Sequence, residues 1–272
     1  MSRATQIAAT MCMSLVTLGT ASAADAVVYE PVPVAAPVDE WIITTTPYFW
    51  ATIYDGSLTI NGIEADLSGT TVFDLLSDGD VNFPPLVNYF EARKGRWGGY
   101  LDTTFIGLNF TDEFSISQPP ATLGTDLDFT YILVNAGVIY TAAEWTSGTS
   151  NTALDLLGGV RYTYYDIDLD VSPVGLSTNA TLDWWDITLG ARLRANYDNG
   201  WYWNIRGDLA GADLESDFSA QAIAVFGRDF SLGRVDMSWM AGYRYLYQDW
   251  SDGDNAVDLT THGPLVGLTI KF

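Results

Sequence analysis

The chain has 272 residues, with 34 Asp and Glu against 12 Lys and Arg for a formal net charge of −22, yet 48% of it is hydrophobic and 14% aromatic. Disordered acidic chains are poor in aromatic and β-branched residues, and a helical membrane protein needs an apolar run of ~18 or more residues, which this sequence lacks. The sign of the charge disfavours nucleic acid and anionic membrane surfaces as partners. Two classes survive: an acidic soluble β-protein, or a barrel that turns every second side chain toward lipid.

At the N-terminus Arg3 is the only charged residue before Asp25, and an apolar stretch from Ile7 to Gly19 leads into Ala21-Ser22-Ala23-Ala24. A basic start, a short apolar core and a small-residue site predict a secretory signal peptide over 1–24, cleaved after Ala23 or Ala24. The single cysteine, Cys12, falls inside it, so the mature chain has no thiol for a disulfide, a metal or a nucleophile. The bulky Met11 before it argues against a lipidation signal. Residues 25–40, with Pro31, Pro33 and Pro37 among Val and Ala, read as an extended periplasmic linker. The remaining 41–272 fits one barrel domain.

From Trp41 onward the chain alternates with a period of two. In Trp185-Asp186-Ile187-Thr188-Leu189-Gly190-Ala191-Arg192-Leu193-Arg194 the odd positions are apolar and the even ones polar or Gly. Such a pattern predicts a sheet with one apolar and one polar face. Strands are expected at 42–53, 82–94, 97–110, 123–142, 152–168, 180–197, 201–212, 218–229, 235–250 and 257–272. Between the first two, Asn61-Gly62 marks a two-residue hairpin and 71–76 reads as a short helix, outside the barrel or folded into its mouth.

Three features favour a membrane barrel over a soluble sandwich. Unbroken segments such as 181–197 are longer than the ~5–6 residues typical of soluble strands. Tight turns at Gly95-Arg96, Asp198-Asn199-Gly200 and Ser231-Leu232-Gly233 alternate with long links near 111–123, 168–180 and 250–257. Trp41, Trp97, Trp145 and Trp201 flank the short turns, while Trp50 and Trp250 lie toward the long ones, as interface girdles do. The fold class predicted is therefore all-β: a transmembrane antiparallel up-and-down β-barrel of about ten strands, or twelve if the hairpin joins the wall.

The charges divide by location. Segments 55–80, 112–128, 166–186, 213–217 and 249–258 hold 22 of the 34 acids and no Lys or Arg. Asp166, Asp168, Asp170, Asp213, Glu215, Asp217, Asp249, Asp252 and Asp254 are read as an acidic outer rim. It either keeps loops solvated or concentrates cations and bridges, through divalent ions, to lipopolysaccharide. A charge facing lipid at mid-membrane costs ~2–4 kcal/mol, so charges within strands are expected in the lumen. The lumen-lining candidates are Glu91, Arg93, Asp102, Asp155, Arg161, Asp186, Arg192, Arg194, Arg206, Asp208, Asp236 and Arg244. The pairs proposed are Arg161 with Asp155, Arg206 with Asp208, Arg244 with Asp236, Arg93 with Glu91, and Arg192 and Arg194 with Asp186. They form either a salt-bridge plug or a charged constriction. Gly159, Gly190 and Gly242 each precede an inward Arg by two residues, leaving room for its side chain.

Catalysis is not expected. His262 is the sole histidine, set in Thr260-Thr261-His262-Gly263-Pro264; an acid such as Asp252 or Asp254 is its conceivable partner. Asp249-Trp250-Ser251-Asp252-Gly253-Asp254 resembles part of a Ca²⁺ loop but lacks the downstream Glu, so neither a metal nor a cofactor is predicted.

The last strand, Gly263 to Phe272, resembles the C-terminal strand of bacterial outer-membrane barrels, in which a terminal Phe is read by the barrel-assembly machinery. Pro47-Tyr48-Phe49-Trp50, Phe90 to Gly98 and Ala241-Gly242-Tyr243-Arg244-Tyr245 are similar to the small porin-like outer-membrane proteins of proteobacteria. The resemblance implies location in the cell outer membrane, lipid and lipopolysaccharide as surroundings, and passive diffusion of small solutes or cations. The alternative is a non-conducting structural or interaction barrel whose acidic loops bind divalent cations, lipopolysaccharide or a partner.

Overall fold

In the computed structural model the chain is described over residues 40–73, 79–117, 120–172, 176–211 and 216–272. The expected signal peptide and all of the linker but Glu40 lie outside the described residues.

Thirteen strands follow in order: β1 (Ile42–Trp50), β2 (Ile53–Ile60), β3 (Ile63–Asp66), β4 (Thr70–Thr71), β5 (Gly79–Lys94), β6 (Trp97–Ser117), β7 (Pro120–Ser147), β8 (Ser150–Ser172), β9 (Leu176–Tyr197), β10 (Trp201–Gly211), β11 (Phe218–Leu232), β12 (Val235–Asp252) and β13 (Asn255–Lys271). β1 pairs with β5, β5 through β13 pair in sequence, and β13 returns to β1. The result is a closed antiparallel barrel of ten strands, and closure leaves no sheet edge along the wall.

The hairpin of β2 and β3 is not counted among the ten strands of the ring; it adds two strands to the sheet beside β13. Along β13, Trp50 is opposite Leu265 and Ile53 is opposite His262, so β1 and β2 hold one common register. They are two halves of a single strand interrupted at Ala51-Thr52, where the Ala51 N–H still donates to the Pro264 carbonyl at 2.9 Å. The other edge of β1 pairs with β5, and that of β2 with β3 and β4. Asn61 (φ 50°) and Gly62 (φ 79°) make the turn, both with the positive φ that such hairpins require. Of the expected helix, residues 72–73 are helical and 74–76 lie outside the described residues.

Two expected long links are strand instead. β6 and β7 reach Ser117 and Pro120, and β8 and β9 reach Ser172 and Leu176. Each of these strands is about twice the ~9–11 residues that a bilayer crossing would need, so the two hairpins extend well past the shorter ones as paired ribbons. Alternation carries through: Ile187 and Leu189 are 57% and 69% exposed, while Asp186 and Thr188 between and beside them are buried. Ile205, Leu209, Phe226 and Val266 continue this outward apolar belt.

The inward glycines mark close contact of backbones rather than space for arginine. Gly137 and Gly159 are directly opposite on β7 and β8. A Cβ on Gly159 would lie 2.2 Å from the Ala136 carbonyl oxygen; one on Gly137 would lie 2.4 Å from that of Gly158 and 2.9 Å from the Tyr100 ring. Tyr100 therefore lies over this bare patch of wall. Gly137→Val is expected to reduce the yield of heat-modifiable folded barrel several-fold on unboiled gels. Gly207→Ala, whose Cβ would meet nothing nearer than 3.8 Å, should leave it unchanged.

Candidate functional site

Inward side chains from nearly every strand converge in the lumen. Nearest the short turns, Arg192 on β9 donates to both carboxylate oxygens of Glu91 on β5, at 2.6 and 3.1 Å. It also reaches Asp155 on β8 at 2.8 Å. Asp155 is shared: it accepts from Arg93 (3.0 Å), Arg194 (3.1 Å) and the Thr141 hydroxyl (2.7 Å). Arg93 also lies 3.4 Å from Glu91.

A second layer lies deeper. Arg161 donates to Asp208 on β10, to Ser219 on β11 at 2.5 Å and to Asn135 on β7 at 2.7 Å. Arg206 pairs with Asp208 at 3.1 Å, and its guanidinium sits 4.4 Å from the centre of the Tyr100 ring. Arg244 on β12 donates to Tyr48 on β1 and to Gln221 on β11, and stands 3.3 Å from Asp102 on β6. Tyr48 in turn donates to Asp102 at 2.9 Å. Asp186 accepts from Trp184 and from the Ser216 hydroxyl. Burying such ions is costly unless each is paired, and the excellent geometry here meets that condition.

Above this layer, toward the long-hairpin end, the lumen is aromatic. Trp184 and Trp250 stack at 5.0 Å, and Tyr165 joins Trp184 and Tyr131. Leu133, Ile106, Leu246 and Val257 fill the remainder. Gln248 on β12 donates to Thr163 on β8 at 2.8 Å. Trp50 and Trp250, expected in an interface girdle, are instead inside; parity turns them inward, and Arg244 lies over the Trp50 ring at 4.5 Å. Trp185, Tyr243 and Tyr245 are exposed on the outer wall at that level, while Trp41, Trp97, Trp145 and Trp201 are exposed near the other end.

Several pairings expected from the sequence differ. Arg161 and Asp155 are six residues apart on one strand, about 20 Å, and Arg244 and Asp236 are farther still. Their partners come from across the lumen. Asp236 itself is exposed at the short-turn rim, where the Ser231 hydroxyl donates to it at 2.7 Å. Arg192 and Arg194 both turn to Asp155, while Asp186 is held by Trp184 and Ser216. The interior aromatic layer was also missed, although Leu182 and Trp184 on the inward parity of β9 signal it.

The acidic rim is partly strand. Asp166 and Asp168 lie on β8, and the register sets Asp168 opposite Asp128 and Asp170 opposite Asp126. Asp213 and Glu215 lie outside the described residues. Asp252 and Asp254 are exposed at the β12–β13 turn, and Ser251 donates to Asp217 at 3.1 Å. Among the described residues no group of three or more His, Cys, Asp or Glu is arranged to hold a metal ion. His262 is held by Asp55 on β2 at 2.8 Å and by the Tyr243 hydroxyl at 2.5 Å, not by Asp252 or Asp254. It fastens β13 to β2 on the outer wall. Phe272 is exposed, its N–H donating to the Ile43 carbonyl at 2.9 Å.

No protein-family model matches the chain, and no curated protein matches its sequence. Several solved structures resemble it in fold. The attachment invasion locus protein Ail of Yersinia pestis, in complex with the heparin analogue sucrose octasulfate, aligns at 15% identity and a TM-score of 0.34, over 86% of this chain and 100% of that one. The outer membrane protease OmpT from Escherichia coli aligns at 9% and 0.46, over 88% and 99%. The translocator domain of the autotransporter NalP from Neisseria meningitidis aligns at 12% and 0.38, over 85% and 88%. The likeness is remote.

At the rim, Asp249 on β12 is directly opposite Asp258 on β13, and like charges so placed destabilise a sheet. Burial first, then repulsion from Asp258 and Asp217, pushes the Asp249 carboxyl above its ordinary pKa. The folded state thus holds this proton more tightly than the unfolded one. Its contribution to stability is full in acid, below the unfolded-state pKa, and is lost as pH rises through the folded one. Asp249→Asn should raise the melting temperature by about 1–3 °C at neutral pH, with the gain vanishing in acid below the usual Asp range.

Proposed function

We propose that this protein is an outer-membrane barrel whose lumen is shut to free diffusion at rest and whose outer end presents carboxylates to cations and lipopolysaccharide. Location in the outer membrane is supported by the outward apolar belt between aromatic rows, an exposed apolar surface that water would not tolerate at this extent. One observation carries the closed reading: strands with three others between them around the ring are joined by direct side-chain contact. Arg244 on β12 meets Asp102 on β6, Arg192 on β9 meets Glu91 on β5, and Gln248 on β12 meets Thr163 on β8. In a ten-stranded ring such strands are nearly opposite, and small barrels are filled by their side chains.

The outer rim supports the second half of the proposal. Exposed acids at Asp168, Asp252 and Asp254 offer a diffuse anionic surface, suited to divalent ions that bridge to lipid phosphates. Passive diffusion of small solutes or cations, the activity implied by the resemblance to porin-like proteins, is the competing reading, and it requires the charged and aromatic layers to part. Planar-bilayer recording separates the two. The wild-type barrel is expected to show no steady ohmic conductance, and Arg192→Ala with Arg244→Ala should produce one by opening the charged layer. Steady, cation-selective conductance of the folded wild type would establish the diffusion reading instead.

A further inference from the structure

Along β11 the outward positions run Ala222, Ala224, Phe226, Arg228, Phe230 and Leu232, all of them exposed. One cation interrupts a row that is otherwise wholly apolar. The register frames it with rings: Trp201 on β10 and Trp239 on β12 are its direct partners on either side. Trp239 meets Trp201 edge-on at 5.6 Å and Phe226 edge-on at 5.8 Å, and the Arg228 guanidinium lies 5.7 Å from the centre of the Trp201 ring.

Arg228 also lacks what the other strand arginines have. Arg93, Arg161, Arg192, Arg194, Arg206 and Arg244 each reach a carboxylate. Among the described residues Arg228 makes no ion pair and no side-chain hydrogen bond. Its chain neighbour Asp229 has the opposite parity and is taken by Lys271 at 2.8 Å. Contact with a ring uses the face of a guanidinium and leaves its N–H edges free for an acceptor. A cation on a lipid-facing wall is costly unless an anion or the headgroup region receives it.

Position and chemistry name that anion. Trp201 belongs with the exposed Trp41, Trp97 and Trp145 at the short-turn end, so Arg228 stands at the depth where an aromatic row meets lipid headgroups. There the available acceptor is a phosphate, whose oxygens match the guanidinium fork. Its register partners are tryptophans, with no carboxylate to hold the ammonium of a zwitterionic headgroup. We propose that Arg228, framed by Trp201, Trp239 and Phe226, binds the phosphate of an anionic phospholipid in the leaflet at the short-turn end, the rings lying against the start of its acyl chains. The site rests on the outer-membrane reading above and deepens it. Because the chain as a whole carries −22, a preference for an anionic lipid has to come from a local site.

Native mass spectrometry of the full-length folded protein in a neutral detergent tests this, with dioleoylphosphatidylglycerol and dioleoylphosphatidylcholine added in equal amounts. The first lipid retained is expected to be phosphatidylglycerol by at least about threefold. Arg228→Gln should bring the two lipids level while keeping heat-modifiable mobility on gels. Arg234→Gln, at an exposed cation in the β11–β12 turn, should keep the preference, as should excess ammonium phosphate. Equal retention of both lipids by the wild type, an unchanged preference in folded Arg228→Gln, an equal loss in Arg234→Gln, or displacement by free phosphate would each overturn the proposal. Refolding into phosphatidylcholine vesicles separates the two readings. A barrel that inserts there but shows no lipid preference refutes this site alone, and one that fails to insert refutes the membrane reading with it.

Discussion

Alternation is what the whole architecture has to satisfy. A strand that turns one parity to an apolar medium must put the other inside, and here the inward parity includes Glu91, Asp102, Asp155, Arg161, Arg192, Arg206, Asp208 and Arg244, all buried. Water is scarce there, so each ion needs a partner within reach, and the ring geometry provides partners only across the lumen or on neighbouring strands. Arg161 reaches three strands besides its own, and Arg244 reaches β1, β6 and β11. The pairing that neutralises the interior is therefore also what ties opposite walls together. Shape follows from charge.

The same constraint explains why the net charge is so negative. The interior consumes six arginines, Arg93, Arg161, Arg192, Arg194, Arg206 and Arg244, against five acids, Glu91, Asp102, Asp155, Asp186 and Asp208. Little basic charge remains for the outside, and the excess acid collects beyond the aromatic rows, where water solvates it. Asp249 stands directly opposite Asp258 on the neighbouring strand, a like-charge placement that destabilises a sheet.

The barrel and its strand count were legible from Trp185 to Arg194 and similar stretches because period two leaves one arrangement that hides polar backbone and exposes apolar side chains. Arg206 with Asp208 and Arg93 with Glu91, two positions apart on one strand, were legible as pairs; the pairings across the lumen were not, since partners as far apart in the chain as Arg192 and Glu91, 101 positions, leave no mark on local spacing. Trp50 and Trp250 misled for a related reason: position along the strand suggested a girdle, but parity, not depth, decides the face. The junction of β1 and β2 was hidden too, because Ala51-Thr52 interrupts the pattern while the register along β13 continues through it.

The central claim is that ion pairs spanning the lumen, and not only the wall's backbone ladder, hold this barrel closed. A double-mutant cycle on Arg244 and Asp102, using Arg244→Met, Asp102→Leu and the combination, measures that directly by urea unfolding in detergent. A coupling of about 1–3 kcal/mol between residues on β12 and β6 is expected, as for contacting charges in a dry network. Coupling indistinguishable from zero, with each single change costing no more than an exposed substitution, would contradict it.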